Sequence, residues 1–587
     1  MDARTPPPHP APPPAGRLAP ADPLALAVAL LVAVVVGLPH ILFRLDPRHP
    51  GGDLLFLGAP DEEMYAARVK EVMEGRPHLG QTYFHEGKDL HPILPDLNER
   101  VLGTLARATG MSVPGLFTAL DFLLPAAGAW LLFRAGFALS SDRGFGALLA
   151  CGVCLSSFPW PQALLIGLYG WDADPWKFLL YYRSPHNQLS LLLLAPILGL
   201  AFRHLGQGGP APRPLAALGL LLGLLTSVYW YMAMFAAVAV AAAGLANAPG
   251  RWGSAAREAL WIAAGGALPA AAFGWHAYGA WTSGGLAMLA ERGYPPEGSP
   301  WNVPESIVLL TAVHALLRRD AVPCRRFLLA LGIGALVLAN KGVLLPLADF
   351  QDRLHAVFWL GFVGTLLAVG LVHALARRLG LGPRAWAALA AGGCLLLAAN
   401  GAFEQTWRCR QAAARYLRLA EYRDALRWLD ENSPEASVVL ASEAVAEVVP
   451  ILTRHDIYGG CRYQAFYATD SAELERRFFE YHALWGVGAE EMDRRLAQSG
   501  HALLQPLSGS RPYLLRAAGK LDAYRLDVSR RYREFLALTT SPPAPSFRLD
   551  YVLVGPLERE EFPEWSRAMG GRERAAAIGP VEILRWR

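Results

Sequence analysis

The sequence is poor in charge and in cysteine. Only 18% of its 587 residues are Asp, Glu, Lys or Arg, whereas 53% are hydrophobic, and the mean hydropathy is +0.25. This apolar fraction exceeds what a soluble core needs, so much of the chain is predicted to lie in a bilayer. The six cysteines match neither a zinc-binding spacing nor a disulfide framework. Free buried thiols are the simpler interpretation, although Cys409 and Cys461 could pair if the C-terminal part is extracytoplasmic.

Several motifs are absent, and each absence argues against a class of function. No Gly-x-x-x-x-Gly-Lys-Ser/Thr sequence occurs, which argues against an ATP-driven pump. The run from His85 to His91 has Asp89 where the His-Glu-x-x-His zinc pattern needs histidine, so a polar loop closing over a site is predicted instead. The net charge is only +4, and no basic block is interleaved with aromatic residues, which argues against a nucleic-acid partner.

Long apolar runs are confined to the region between Leu24 and about Phe403, and residues 404–587 contain none of spanning length. Residues 1–23 are rich in Pro and Ala and are predicted to be disordered. The first run, from Leu24 to Leu45, lacks a small-residue cleavage site and is predicted to be an uncleaved helix. The transmembrane domain is therefore predicted over 24–403. It would hold about eleven helices, at residues 24–43, 113–134, 145–165, 187–203, 214–229, 230–248, 256–274, 303–318, 326–346, 353–376 and 385–403.

Arginine residues mark one side of this predicted bundle. They occupy every second connection, as Arg134 and Arg143, Arg203 and Arg213, Arg251 and Arg257, Arg318, Arg319, Arg325 and Arg326, and Arg377, Arg378 and Arg384. The alternation requires that 214–248 be divided by a tight hairpin near Tyr229 to Tyr231. Short cytoplasmic loops collect Arg and Lys. The N-terminus is therefore predicted to be cytoplasmic, and the chain after about Phe403 extracytoplasmic.

Residues 404–587 are predicted to form a compact extracytoplasmic α/β domain. A helical pattern from Gln411 to Glu431 is stopped by Asn432, Ser433 and Pro434. Short β-type runs follow at 437–440, 551–555 and 581–586, with helical stretches between them at 472–482 and 489–497. Such alternation is typical of an α/β module.

The first long outer loop, residues 46–112, opens with consecutive acidic residues. Asp61, Glu62 and Glu63 begin a stretch with an apolar face, which predicts an amphipathic helix lying on the membrane surface. Acidic residues at a helix start are also explained by the helix dipole, with Asp61 as the N-cap. Because these acids follow the first span, they would face the mouth of the helix bundle. A carboxylate there can take a proton from an incoming hydroxyl or amide.

A second outer connection, residues 166–186, contains Asp172, Asp174 and Lys177, followed by Arg183 and His186 at the start of the fourth predicted span. A cation held near the lipid interface stabilises a phosphate strongly, because little water screens the interaction. The alternative for Lys177 and Arg183 is that their charges reach out to lipid headgroups.

A third outer turn carries Arg353, which either pairs with Asp349 or Asp352 or reaches a lipid phosphate. We predict that the acidic and basic residues of these two outer connections bind the substrate or its lipid phosphate. They are Asp172, Asp174, Lys177, Arg183, His186 and Arg353.

The layout resembles the GT-C superfamily of polyprenyl-phosphate-sugar-dependent glycosyltransferases. The resemblance lies in a first span, a large outer loop opening with the acidic pair Asp61-Glu62, further spans, a second acidic outer loop and a C-terminal extracytoplasmic domain. It implies a bacterial inner-membrane enzyme of the cell envelope that transfers a sugar from a polyprenyl phosphate, with inversion. Asp61 matches the catalytic acid of the family, and Glu62 is the second member of the pair. In this class the carboxylate acts as a base, or positions the acceptor or a divalent metal, so a metal at Asp61 is left open.

The acceptor is a lipid, a glycan or a protein, and the sequence does not identify it. The Trp-Trp-Asp-x-Gly signature of oligosaccharyltransferases is absent, which disfavours transfer of a preassembled glycan to Asn. Two other hypotheses are a transporter or flippase for a lipid-linked substrate, and a noncatalytic scaffold that binds envelope polymers. No internal repeat is evident and most charges lie at span ends, which argues against transport.

Overall fold

The protein is mostly helical, with a small sheet near its C-terminal end. The computed structural model describes residues 22–49, 61–156, 179, 181, 185–205, 212–246, 252–292, 325–339, 352–499, 501–509, 511–517, 519–539 and 544–586. For residues 352–360 it describes the backbone only.

The helices up to residue 420 are α1 (Pro23–Val36), α2 (Leu38–Leu45), α3 (Glu62–Met73), α4 (Leu97–Thr109), α5 (Val113–Ser140), α6 (Arg143–Leu155), α7 (His186–Leu205), α8 (Pro212–Ala246), α9 (Trp252–Thr282), α10 (Gly285–Glu291), α11 (Arg325–Ala339), α12 (Asp352–Arg378) and α13 (Pro383–Ala420).

Many of these helices are apolar enough to cross a membrane. Within the described residues, five helices have the length and composition of a span, and six if the bent pair α1 and α2 forms one. That pair turns by 48°. α6 is a shorter apolar helix. Helices are present at each predicted span except 303–318, which lies outside the described residues, so the count of eleven stays a prediction.

The first and last apolar helices run in the same direction. Gln405 of α13 donates a hydrogen bond to the Val36 carbonyl at the end of α1 (2.8 Å), whereas Leu24 at the start of α1 lines a cavity with Ala391 of α13. If both helices cross the bilayer, their parallel packing requires an odd number of crossings. The two ends of the bundle are named here the domain end, from which α13 continues outward, and the arginine end, where Arg143 and Arg377 lie.

The long helix α8 contains a break where the hairpin was predicted. Tyr229 has φ −160° and ψ 89°, outside helical geometry. Before this break, Gly219 lies against Ile262 of α9 and Gly223 lies against Gly266 of α9. The two segments therefore run parallel, and a chain reversal at Tyr229 produces this arrangement.

The remaining elements belong to the C-terminal part of the chain. The helices are α14 (Arg423–Asn432), α15 (Glu443–Ala446), α16 (Val449–Leu452), α17 (Ser471–Leu484), α18 (Ala489–Gln498), α19 (Gln505–Ser508), α20 (Arg511–Ala517), α21 (Leu521–Leu538), α22 (Pro556–Glu561) and α23 (Trp565–Ala568), with 3₁₀ turns at Arg462–Phe466 and Ala502–Leu504. The strands are β1 (Val438–Leu440), β2 (Asp456–Ile457), β3 (Tyr551–Val554), β4 (Glu573–Ile578) and β5 (Val581–Arg585).

The five strands form one mixed sheet in the order β2-β1-β3-β5-β4. β1 pairs in parallel with β2 and β3, whereas β5 pairs antiparallel with β3 and β4. The three predicted β-type runs correspond to β1, β3 and β5, which are mostly buried, and burial explains their apolar sequence. The mostly exposed β4 and the two-residue β2 were not predicted. Cys409 and Cys461 are both free and buried.

The predicted break between membrane region and domain does not coincide with a break in structure. α13 runs without interruption from Pro383 to Ala420, through the predicted boundary at residue 404. The helix predicted from Gln411 to Glu431 is also divided, because α13 ends at Ala420 and α14 begins at Arg423. The last span is thus joined to the C-terminal part by a rigid helix.

The first outer loop is packed against the C-terminal part. Ile457 of β2 donates a backbone hydrogen bond to the Tyr83 carbonyl (2.8 Å), which covers an edge of the sheet. Lys88 contacts Asp456 at 2.7 Å and Glu71 at 2.7 Å. The run beginning at His85 therefore anchors the loop to the domain.

Glu558 is a buried carboxylate on which the turn after β3 depends. It is fully buried and accepts hydrogen bonds from the Ser442 amide (2.9 Å) and hydroxyl, from the Gly555 amide (2.8 Å) and from the Tyr422 hydroxyl. Glu558→Ala would leave these donors unpaired, and we expect a loss of about 3 kcal/mol in the free energy of unfolding. Thermal unfolding of the purified protein measures it. The exposed Glu560→Ala is the matched control and should leave stability unchanged. Equal stability of the two variants would contradict this role.

Candidate functional site

The acidic residues at the start of α3 lie between the helix bundle and the C-terminal part. α3 begins at Glu62, and all of its twelve residues except Lys70 and Met73 are buried. The prediction of an amphipathic helix on the membrane surface is therefore wrong, because the rest of the first outer loop and the C-terminal part cover the polar face of α3. The acidic residues there need partners within the protein.

Asp61 stands at the N-cap position in an unusual backbone conformation. Its φ is 67° and its ψ is 2°, in the left-handed region, and its side chain makes no capping hydrogen bond. The interpretation of Asp61 as an ordinary N-cap is therefore wrong. Its backbone amide instead donates to the hydroxyl of Tyr463 (3.2 Å). A non-glycine residue in this region carries strain of about 1–3 kcal/mol, and such residues are concentrated at functional sites.

Glu63 is the centre of a buried cluster of charged and polar groups. Its carboxylate accepts hydrogen bonds from the Tyr416 hydroxyl (2.8 Å), from Arg415 (3.1 Å) and from the Tyr463 hydroxyl (2.9 Å). Arg415 and Tyr416 belong to the outward extension of α13, whereas Tyr463 belongs to the C-terminal part. One carboxylate thus joins three distant segments.

A second carboxylate and a second arginine complete this cluster. Arg462 lies 2.8 Å from Glu447 and 3.9 Å from Glu63, and Arg415 also pairs with Glu447. The two carboxylates have exposures of 2%, whereas the arginine side chains keep 32% and 31%. Each arginine side chain therefore keeps part of its surface outside the contacts with its acidic partners. We call Glu63, Glu447, Arg415, Arg462 and Tyr463 the outer cluster.

The electrostatics of the outer cluster extend to Asp61. Burial acts to raise the pKa of Glu63, but Arg415 and Arg462 outweigh it and the pKa is lowered. Burial acts to lower the pKa of Arg462, but Glu447 and other neighbours, Asp61 among them, raise it well above its ordinary value. Asp61 is thus close enough to Arg462 to interact with its charge.

The three consecutive acids differ in accessibility. Glu62 is fully buried and Glu63 is buried in the outer cluster, whereas Asp61 is only half-buried. Of the three, Asp61 is therefore the carboxylate that an incoming group reaches most readily. In the part of the chain that the structure describes, no group of three or more His, Cys, Asp or Glu residues is arranged to hold a metal ion.

His186 is brought to α3 by an aromatic contact. Its ring lies 4.1 Å from the ring of Tyr65, one turn after Glu62, and 6.2 Å from that of Tyr229 at the break in α8. Its Nε2 is 3.8 Å from Glu99, which is paired with the buried Arg68 at 2.9 Å. The start of α7 and the start of α3 therefore meet at the domain end of the bundle.

The other predicted site residues cannot be compared with the structure. Asp172, Asp174, Lys177 and Arg183 lie outside the described residues, and for Arg353 only the backbone near the start of α12 is described. Their proposed roles stay predictions. Four members of the outer cluster were not singled out from the sequence. A single charged or aromatic residue in a segment rich in charge carries no local signal of its partner. These residues are Arg415, Glu447, Arg462 and Tyr463.

Comparisons with known proteins find similarity among solved structures only. The sequence matches no protein-family model, and it matches no curated protein. Among solved structures, the crystal structure of ArnT from Cupriavidus metallidurans bound to undecaprenyl phosphate is similar, with 15% sequence identity and a TM-score of 0.41. The match covers 96% of this chain and 97% of that chain.

The lowered pKa of Glu63 predicts how stability depends on pH. Glu63→Gln removes the negative charge between Arg415 and Arg462. We expect this variant to lose about 2–3 kcal/mol in the free energy of unfolding at neutral pH. An acid with a lowered pKa stabilises the folded state above its ordinary value, here 4.5, and this stabilisation is lost as the pH falls through the lower folded-state value. The difference in the free energy of unfolding between the wild type and Glu63→Gln should therefore become smaller below pH 4.5. Thermal unfolding over a pH series measures it.

Glu435→Gln is the control for this pH series, because the Glu435 side chain is 62% exposed. This variant should follow the wild-type profile at every pH. A Glu63→Gln variant that is as stable as wild type at neutral pH would show that the charge of Glu63 does not hold the outer cluster together.

Proposed function

We propose that the protein is a GT-C-type glycosyltransferase of the bacterial inner membrane that transfers a sugar from a polyprenyl-phosphate-linked donor on the extracytoplasmic face. The observation that carries the proposal is the position of Asp61. It is a half-buried carboxylate on a strained backbone, close to the partly exposed Arg462 of the outer cluster, at the domain end of apolar helices. The acceptor is a lipid, a glycan or a protein.

The chemistry needs a base and a group that stabilises the leaving phosphate. In the proposed step, an acceptor hydroxyl or amide gives its proton to the Asp61 carboxylate while its oxygen or nitrogen bonds to the anomeric carbon. The bond between that carbon and the phosphate oxygen breaks, and polyprenyl phosphate leaves with the electron pair. Attack opposite the leaving group inverts the anomeric centre.

Arg415 and Arg462 are suited to receive the negative charge of the leaving phosphate. Each guanidinium has several N–H donors and keeps about a third of its side chain exposed. Glu63 and Glu447 fix the two groups before substrate binds, so that little reorganisation is needed as charge develops. Glu63 would thus be a positioning residue in this proposal.

His186 is a third candidate for contact with the donor. It is buried beside Tyr65 and near Glu99, next to the start of α3. Lys177, Arg183, Asp172, Asp174 and Arg353 remain proposed contributors to the same donor site. No step is routed through a divalent cation, because the described residues do not form a cluster of ligands for one.

Replacement of the proposed base should abolish transfer. We expect Asp61→Asn to lower kcat by about 10³-fold, in the range of general base catalysis, because the amide cannot take the acceptor proton. Transfer by the purified protein is measured with a polyprenyl-phosphate sugar and membrane-lipid acceptors, together with thermal unfolding. Asp89→Asn, an exposed residue of the same loop, is the control and should keep full activity.

Three outcomes would separate the hypotheses. Full transfer by Asp61→Asn would exclude Asp61 as the base, and loss of transfer only in Glu62→Gln would assign the role to Glu62. Movement of the lipid-linked sugar across vesicles that contain no acceptor would favour a flippase.

Replacement of His186 should affect the reaction less than replacement of Asp61. We expect His186→Asn to lower kcat by about 10²-fold, since loss of one donor to a developing oxyanion has effects of this size. The control is His78→Asn, at an exposed position of the first outer loop. Unchanged kcat with lowered thermal stability would assign His186 to packing against Tyr65 alone.

A further inference from the structure

A cavity of about 860 Å³ lies at the arginine end, far from Asp61 and the outer cluster. It is bordered by α1, α5, α6, α12 and α13. Most of its wall is apolar, with Leu24, Val28, Ala387, Ala391 and Leu395 among the residues that line it. Its volume is in the upper part of the range for small-ligand sites, about 300–1,000 Å³.

One end of this cavity is basic. Arg143 at the start of α6 and Arg377 at the end of α12 both line it. Arg143 is 62% exposed and pairs with Asp22 at 3.0 Å, whereas the exposed Arg377 forms no ion pair with any described residue. Arg378 and Arg384 follow close by in the chain and are also exposed. The charge at this end therefore favours an anion.

A buried polar group stands in the wall between the basic and apolar parts. Trp386 donates a hydrogen bond to Asp142 (2.8 Å), and His373 Nε2 lies 3.7 Å from the same carboxylate. His373 is 2% exposed, and its Nδ1 has no hydrogen-bond partner among the described atoms. An unpaired polar nitrogen in such a place is costly unless a ligand or water completes it. All three residues line the cavity.

The α13 helix adds a second feature that favours an anion. Its N-cap residue is Gly382, which offers no side-chain hydrogen bond to the first turn of the helix. The backbone amides at that end are thus available for an acceptor, and the helix dipole adds partial positive charge there. The adjacent residues Pro383 and Leu381 line the cavity.

We propose that this cavity binds an anionic phospholipid from the leaflet at the arginine end. Its phosphate would lie near Arg377 and Arg143, and an acyl chain would cover the apolar wall along Ala387 and Ala391. A soluble anion has no group to fill the apolar wall, and a zwitterionic lipid carries a cation that the arginines repel. The site is separate from the proposed donor site, so either proposal can fail without the other.

The test compares lipids by their effect on the thermal unfolding midpoint of the purified full-length protein in detergent micelles. Phosphatidylglycerol, phosphatidylcholine with the same acyl chains, and inorganic phosphate are added at equal concentration. A ligand that binds only the folded state raises the midpoint. We expect phosphatidylglycerol to raise it about twofold more than phosphatidylcholine, and inorganic phosphate to leave it unchanged.

Two variants localise the effect. Arg377→Gln should remove most of the difference between the two lipids. Arg257→Gln, which replaces an exposed arginine near the start of α9 at the same end, should keep that difference. Ala391→Trp should block the apolar wall from an exposed position and abolish stabilisation by phosphatidylglycerol. If the two lipids stabilise equally, if inorganic phosphate stabilises as well, or if Arg377→Gln has no effect, the proposal is wrong.

Discussion

The buried carboxylate of Glu63 is the constraint on which the domain end of the molecule depends. An ionised carboxylate with an exposure of 2% is stable only when cations and hydrogen-bond donors replace the water that it has lost. Those groups come from the outward extension of α13 and from the C-terminal part, so neither segment can move away without leaving a buried charge unpaired. The same contacts hold Tyr463, whose hydroxyl oxygen accepts a hydrogen bond from the backbone amide of Asp61. The position of Asp61 is therefore determined by residues about 400 positions away.

The continuous helix α13 makes this arrangement rigid. It spans the apolar region and carries Arg415 and Tyr416 beyond it, so the charges that fix Glu63 move together with the bundle. The first outer loop is held a second time where Lys88 meets Asp456. With two such contacts, the junction behaves as one structural unit. The proposed base Asp61 is thereby held in place before substrate binds, and for such a base this lowers the cost of reaching a reactive geometry.

The sequence predicted those features that leave a local pattern. Burial in lipid or in a core gives apolar runs, and these predicted the positions of the joined α1 and α2, of α5 to α9, of α11 to α13 and of strands β1, β3 and β5. α4 and α10 lie outside the apolar runs and were not predicted. The break at Tyr229 was predicted from the alternation of arginines, because the two sides of a membrane differ in loop charge. The acidic residues at 61–63 were recognised because consecutive carboxylates at a helix start are conspicuous.

The partners of those acids could not be predicted. Arg415 and Tyr463 lie 352 and 400 residues from their hydrogen-bonded partner Glu63, and no spacing in the sequence relates them. The helix at 62–73 was expected on the membrane surface because its polar face resembles a face in water. It is instead covered by the rest of the first outer loop and by the C-terminal part, where paired charges replace water. A tertiary contact thus determined the environment of a segment whose secondary structure was predicted correctly.

The charges inside the bundle bear on the choice between an enzyme and a transporter. His40 of α2 and Asp121 of α5 form a buried pair at 2.7 Å, and Gln188 of α7 donates to the same carboxylate at 2.8 Å. Asp121 is eight residues into α5, about 12 Å from its domain end, so the pair is nearer to that end than to the other. A carboxylate that already has two hydrogen-bonding partners on neighbouring helices would have to break both contacts before it could bind a transported ion.

The pair of His40 and Asp121 also lies beside the bend between α1 and α2, where Phe122 is packed against Gly37. Its physical effect is to fix that bend, which is a structural role rather than a role in transport.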